Sequence, residues 1–251
     1  MRSIQWTGIG FFLVVATLWS GAFRPGFFDF QNSSGFPFLH RFALEAVLIG
    51  SGPALAALLS WRLFGQQHRT SSLFGEWRAG ALFLAAIPPA ILSAFGLPND
   101  FGMNAHVAGG LVGAIIVLYA LGEEIGWRGF MQDALAPIHF IPRSMIIGTA
   151  WWAWHLWFTQ PGAGVEQLAG SYVVIVAIAF VFSAIVSVTR SWISVAAFHA
   201  LGNIAFFAGG LDMEPSRRFL IAGVAFALML LVHHHWTRRS RAVAAETPNL
   251  A

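Results

Sequence analysis

The sequence predicts an all-α, polytopic membrane protein: about eight transmembrane helices bundled around an intramembrane polar site, in a single domain over residues 1–251. Three observations lead there. The 251 residues are 57% hydrophobic and only 10% charged, whereas a soluble chain carries roughly 25% charged residues. Several apolar runs reach about 20 residues, the length that takes a helix across a bilayer. A few ionisable residues fall inside those runs, where their cost makes them functional candidates.

Each span follows from its own run. The first covers about Ile4–Gly21, after a single arginine and with no small-residue cleavage site, so it reads as a membrane helix and not as a removed leader. A loop with Arg24-Pro25-Gly26 and Asn32-Ser33-Ser34-Gly35 follows. The second span, Arg41–Phe64, contains Gly52-Pro53, and a proline there kinks a helix and releases backbone groups. The polar stretch Gly65–Arg78 is the longest hydrophilic link. The third span, Trp77–Leu97, carries Pro88-Pro89 as an expected kink or break, and Pro98-Asn99-Asp100 turns the chain. The fourth is Val107–Gln132, and Pro137 to Arg143 is read as a loop. The fifth is Ser144–Phe158, followed by the turn Pro161–Gly164. The sixth, Leu168–Thr189, is joined through Arg190-Ser191 to the seventh, Trp192–Gly209. Asp212–Arg218 links this to the eighth, Phe219–Trp236, and residues 237–251 are read as a mobile cytoplasmic tail.

Charge sets the expected orientation. All 14 basic residues are arginines, against 11 acids, for a net charge of +3. They are scattered over loops and not gathered in a patch, which argues for membrane orientation and against a nucleic-acid partner. The termini and even-numbered loops hold most of them, including Arg62, Arg69, Arg78, Arg143, Arg190 and Arg238. The expectation is a multi-pass protein of the cell membrane, in contact with lipid, with both termini cytoplasmic. The absence of cysteine excludes disulfides, thiol nucleophiles and thiolate-bound zinc.

The intramembrane ionisable set is small. Most of the nine histidines fall in loops or at span ends, among them His233–His235. Inside the spans lie Glu123, Glu124, Arg128, His155 and His199, with Glu45 a weaker case. Arg128 follows Glu124 by four residues, so the two share a helix face as an ion pair. Glu123 points about 100° away, to another face. At 1.5 Å per residue, Glu123 lies about 15 Å, His155 about 17 Å and His199 about 12 Å from the cytoplasmic ends of their spans. Asn203 stands one turn beyond His199. One slab could therefore hold Glu123, His155, His199 and Asn203.

A carboxylate with two imidazoles and an amide suits hydrolysis. Glu123 would take a proton from water. One imidazole would position that water, and the other, with Asn203, would donate to a developing oxyanion. Glu124 and Arg128 would support the arrangement. Glu123, His155 and His199 could instead bind Zn²⁺ and activate water through it. No cofactor is the favoured reading, because an amide one turn from a histidine suits an oxyanion better than a metal shell. Other intramembrane protease chemistries lack their residues: there is no His-Glu-x-x-His, no Gly-x-Ser-Gly and no aspartate within any of the eight spans.

Three stretches occur in order: Glu123-Glu124-Ile125-Gly126-Trp127-Arg128, Trp151-Trp152-Ala153-Trp154-His155 and His199-Ala200-Leu201-Gly202-Asn203. Together they resemble the CAAX-protease and bacteriocin-processing family (CPBP or Abi), over about residues 107–208. Trp151 is a departure, since phenylalanine is commoner there. The resemblance implies an intramembrane protease, often named a metalloprotease, in which Glu123 activates water, His155 assists and His199 with Asn203 forms the oxyanion site. Trp151 and Trp154 would wall the substrate pocket. The implied substrate is a peptide or a lipidated C-terminal tail. The alternative is a non-catalytic immunity or scaffold protein binding a peptide in the same pocket. A proton-coupled transporter fits less well, because no internal repeat is found.

Overall fold

The computed structural model describes residues 4–23, 38–65, 69–99, 102–159, 162–207 and 214–246. Eight helices carry the chain through them: α1 (Trp6–Ala22), α2 (Phe38–Phe64), α3 (Arg78–Phe95), α4 (Ala105–Glu124), α5 (Phe140–His155), α6 (Val165–Thr189), α7 (Trp192–Gly202) and α8 (Pro215–Glu246). Among the described residues there is no strand, only an isolated bridge between Ser72 and Ser191. Five helices are long and apolar enough to cross a membrane: α2 over Ala46–Phe64, α3, α4 with its continuation to Ala134, α6, and α8 over Pro215–Trp236. Helices α1 and α7 are shorter apolar segments. The chain is an all-α, polytopic membrane protein. The Arg24–Gly26 and Asn32–Gly35 loop positions, the side chain of Glu45 and residues 247–251 lie outside the described residues.

Helix α4 is the centre, packed against α2, α3 and α7. Two glycine pairs, each four apart, let it approach its neighbours closely. A Cβ on Gly109 would lie 2.1 Å from the Leu92 carbonyl oxygen, and one on Gly113 would lie 2.5 Å from Pro89 Cα. On the α2 side, a Cβ on Gly122 would lie 2.2 Å from the Gly50 oxygen, and one on Gly126 would lie 2.5 Å from Pro53 Cβ. Lipid offers no hydrophobic drive for helix association, so close backbone packing through small residues supplies it.

The prolines do not break their helices. Pro53 lies inside α2, and the carbonyl it strands four residues earlier, on Ile49, accepts a hydrogen bond from Ser20 Oγ at 2.9 Å. Gly52 makes room for that hydroxyl, since a Cβ there would sit 2.1 Å from it. Pro88-Pro89 likewise lies within the unbroken α3. The expected loop Pro137–Arg143 is shorter than predicted: α5 begins at Phe140, because Pro142 falls in the first turn, where a missing N–H costs nothing. Helix α8 runs past the expected end at Trp236 to Glu246.

Two helices end in widened turns. After Glu124 the chain passes through a π-helical segment, Ile125–Met131, and then Gln132–Ala134. The Gln132 N–H bonds to the Trp127 carbonyl, five residues back. After Gly202 a second π-helical segment spans Asn203–Phe207. The first carries the span on to Ala134, so Asp133 lies within it, contrary to the expectation of no aspartate in any span. The polar link 69–77 ties this end of the bundle together. Thr70 donates from its N–H and its hydroxyl to the Asp133 carboxylate. Trp192 Nε1 donates to Ser71 Oγ at 2.7 Å, and Ser72 exchanges backbone bonds with Arg190 and Trp192.

Candidate active site

The site lies where α4, α5 and α7 meet against α6. Its inner tier is sealed. Glu123 is fully buried, and Trp151 and His199 are 3% and 5% exposed. Trp151 Nε1 donates to Glu123 Oε2 at 2.7 Å. The adjacent Glu124 faces Arg128, whose NH1 donates to Oε1 at 3.0 Å. His199 bridges the two carboxylates. Its Nδ1 is 2.8 Å from Glu124 Oε1, and its Nε2 is 3.9 Å from Glu123 Oε1. A carboxylate can only accept, so Nδ1 carries the proton in that bond and Nε2 is the nitrogen turned toward Glu123. The Arg128 guanidinium lies over two rings, 4.5 Å from the centroid of Trp151 and 5.0 Å from that of Phe182. The flat cation is thus held between aromatic faces as well as by its carboxylate.

The outer tier stands one turn away on the same three helices. It holds Tyr119, four before Glu123; His155, four after Trp151; and Asn203, four after His199. Because α4 runs opposite to α5 and α7, all three steps lead in the same direction, by about 6 Å. All three residues are half-buried. The His155 ring lies edge-on to Trp151, with centroids 5.2 Å apart, and its Nδ1 is 2.8 Å from the Trp151 carbonyl oxygen. That oxygen is an acceptor only, so Nδ1 donates and Nε2 is the lone-pair nitrogen of the neutral ring. Asn203 opens the second π-helical segment, just as the first begins directly after Glu124. Such widened turns recur at functional sites.

Unsatisfied polarity marks the cluster. Glu123 Oε1, Glu124 Oε2, Arg128 Nε and NH2, and Asn203 Nδ2 are buried without a hydrogen-bond partner among the described residues. Each such atom costs about 1–3 kcal/mol. Five in one place form a site preorganised for something not covalently part of the chain. The zinc alternative asks Glu123, His155 and His199 to converge on one ion. Both imidazole Nδ1 atoms and Glu123 Oε2 are engaged by protein groups, so the two Nε2 atoms and Glu123 Oε1 are the atoms that would have to reach such an ion. Among the described residues no three His, Asp or Glu side chains are grouped so as to hold a metal.

The predicted residues separate into two sets. Glu123, Glu124, Arg128, Trp151, His155, His199 and Asn203 come together. Trp154 stands beside them: it is 1% exposed, donates from Nε1 to the Ala16 carbonyl of α1 at 3.3 Å, and packs edge-on against both Trp127 and His155. Sequence reasoning missed Tyr119 and Phe182. Tyr119 had a signal, its i−4 spacing from Glu123. Phe182 had none, being one apolar residue in an apolar helix.

Comparison with known proteins supports the family reading. Residues 106–205 match the family model of Type II CAAX prenyl endopeptidase Rce1-like proteins. The matched segment runs from the start of α4 into the second π-helical segment and contains every residue of both tiers. It upholds the resemblance to the CAAX-protease and bacteriocin-processing family, and at family level it supports a CAAX-type intramembrane protease. No curated protein matches the chain.

Proposed function

We propose that this protein is an intramembrane endopeptidase that hydrolyses a peptide bond with water activated by Glu123. The observation that supports this best is the state of that carboxylate. It is buried and anchored at Oε2 by Trp151, while Oε1 has no hydrogen-bond partner and faces His199 Nε2. A base held this way is oriented without being consumed by its own restraint.

The steps follow from the donors and acceptors. Glu123 Oε1 takes a proton from water as the water oxygen bonds to the carbonyl carbon. The neutral His155 ring accepts the water's second hydrogen at Nε2 and so fixes the angle of attack. The carbonyl oxygen becomes an anion and takes hydrogen bonds from Asn203 Nδ2 and from His199 Nε2, which carries a proton in this step. The C–N bond then breaks as the proton on Glu123 passes to the leaving nitrogen, giving a carboxylic acid and an amine. Arg128 neutralises Glu124 and keeps its charge from opposing that of Glu123. The substrate is a peptide or lipidated C-terminal tail, and both chain termini lie in the cytoplasm.

The test is cleavage by the purified protein in liposomes. Tagged peptides with prenylated and unprenylated C-terminal tails are offered to wild type and to Glu123→Gln. Cleavage by wild type that disappears in the variant is expected. Equal cleavage by both would remove Glu123 from the mechanism. In cells, an effect that survives Glu123→Gln at unchanged membrane levels would favour a peptide-binding scaffold.

A further inference from the structure

The open atoms of the site continue past Arg128, away from Tyr119, His155 and Asn203. One turn further along stands Gln132, 6% exposed. Its Nε2 donates to the Ser183 carbonyl and to Ser187 Oγ on α6, each at 3.4 Å, while its Oε1 is buried without a partner among the described residues. Ser183 follows Phe182, whose ring lies under the Arg128 guanidinium, and the Ser183 hydroxyl is buried and unpartnered too. Helices α5 and α6 run antiparallel, since Trp152 bonds to Ser171 and a Cβ on Gly148 would lie 3.0 Å from Ala179 Cβ. One further turn along each helix sets Ser144 opposite Ser183, and Ser144 Oγ is the third buried, unpartnered atom. An amide oxygen and two hydroxyls carry no charge and suit a small neutral ligand that both donates and accepts.

We propose that Gln132, Ser144 and Ser183 bind a buried water, and that this water stands on a route by which water reaches Glu123 from the Asp133 end of the bundle. A buried water makes about three hydrogen bonds to otherwise unsatisfied polar groups, and these three side chains supply them. Toward the reaction, the open atoms run on through Arg128 Nε and NH2 and Glu124 Oε2 to Glu123 Oε1. Toward the Asp133 end, Gln132 leads to Ser187, which is exposed. Hydrolysis consumes one water per bond broken, and a peptide bound at His155 and Asn203 covers the other approach. The route rests on Glu123 being the base, as proposed above; the water site does not.

Two readouts separate the site from the route. Hydroxyl radicals formed by a short X-ray pulse oxidise side chains that lie beside bound water. Phe182 is expected to be oxidised although it is 6% exposed, while Phe12, fully buried against Trp127 and Phe130, is not. Ser183→Val, which fills the place of the water with methyl groups, is expected to abolish the labelling of Phe182. Labelling of Phe182 that is absent in wild type, or unchanged in Ser183→Val, would overturn the water site. The second readout is cleavage: kcat of Ser183→Val is expected to fall with KM unchanged. Lost labelling with wild-type kcat would overturn the route. Lost labelling in Ser183→Val, where even the wild type cleaves no peptide, would keep the water site and bring down the hydrolase reading instead. If Ser183→Val unfolds, Ser144→Ala, Ser183→Ala and the double variant are read by thermal unfolding in detergent. A shared water makes each single change lower the Tm and makes the pair non-additive. A Tm unchanged or raised in both single variants would overturn the proposal, because removing a hydroxyl that has no partner relieves the cost of burying it.

Discussion

Two polar clusters lie inside this bundle, and they are built on opposite rules. At one end of α4, Asp133 accepts both donors of Thr70, Ser71 accepts from Trp192, and Ser191 caps α7 by accepting from the Ser194 N–H. These polar groups are satisfied by neighbouring protein groups, and they hold three chain segments in place. About ten residues earlier on the same helix, Glu123, Glu124 and Arg128 are buried just as deeply, yet each keeps an atom without a hydrogen-bond partner among the described residues. Burial therefore does not separate structural from functional polarity here. Satisfaction does. A filled cluster stabilises the fold, and a cluster with open atoms gives up stability to receive a ligand.

Substitutions at the two clusters should fail in opposite ways. The largest contrast is Glu123→Gln against Asp133→Ala. The first is expected to lower cleavage by about 10²–10⁴-fold, the contribution of a general base, with thermal unfolding unchanged. The second is expected to lose about 1–3 kcal/mol of stability and keep kcat, measured by denaturation in detergent alongside the cleavage assay. A stability loss confined to Glu123→Gln would reverse the comparison. Next, Asn203→Ala should cost about 10²–10³ in kcat, as for one oxyanion donor, with little change in KM. A pure rise in KM would make Asn203 a binding residue instead.

A smaller effect concerns how the base itself is held. The indole N–H of Trp151 is what binds Glu123 Oε2. Phenylalanine has no such donor. Trp151→Phe is expected to cut kcat about 10-fold or more, at the scale of a hydrogen bond to a carboxylate. An unaffected rate would mean that another group suffices to hold the base. The smallest expected effect is that of metal removal. Strong chelators should leave cleavage intact, and loss on chelation with recovery on added Zn²⁺ would replace water activated by Glu123 alone with metal chemistry.

Much of the site was legible in the sequence, and the reason is helical periodicity. Glu124 and Arg128 are four apart and do pair; His199 and Asn203 are four apart and do share a face. The same logic reached its limit at the helix ends. The start of α5 was misplaced because Pro142 reads as a breaker in isolation, although it is tolerated in a first turn. Asp133 falls outside the predicted span because nothing in its neighbourhood announces a π-helical turn that carries the helix onward. Nor does the sequence show that Trp154, whose ring packs on His155, donates its N–H to the Ala16 carbonyl of α1.

The sequence by itself determined the class of fold, the order of its helices and the ionisable residues that the membrane must accommodate, because hydropathy and 3.6-residue spacing are properties of each helix alone. Which groups meet was decided by tertiary structure. That His199 bridges both glutamates, that Trp151 anchors Glu123, and that Tyr119 completes the outer tier all depend on how α4, α5 and α7 are rotated about their own axes. Those rotations are set by Gly109, Gly113, Gly122 and Gly126 bringing α4 against α3 and α2, and by Thr70, Ser71 and Ser72 fastening the ends of α4, α6 and α7. Spacing along a helix gives the faces it can offer. Contact with other helices decides which face meets which.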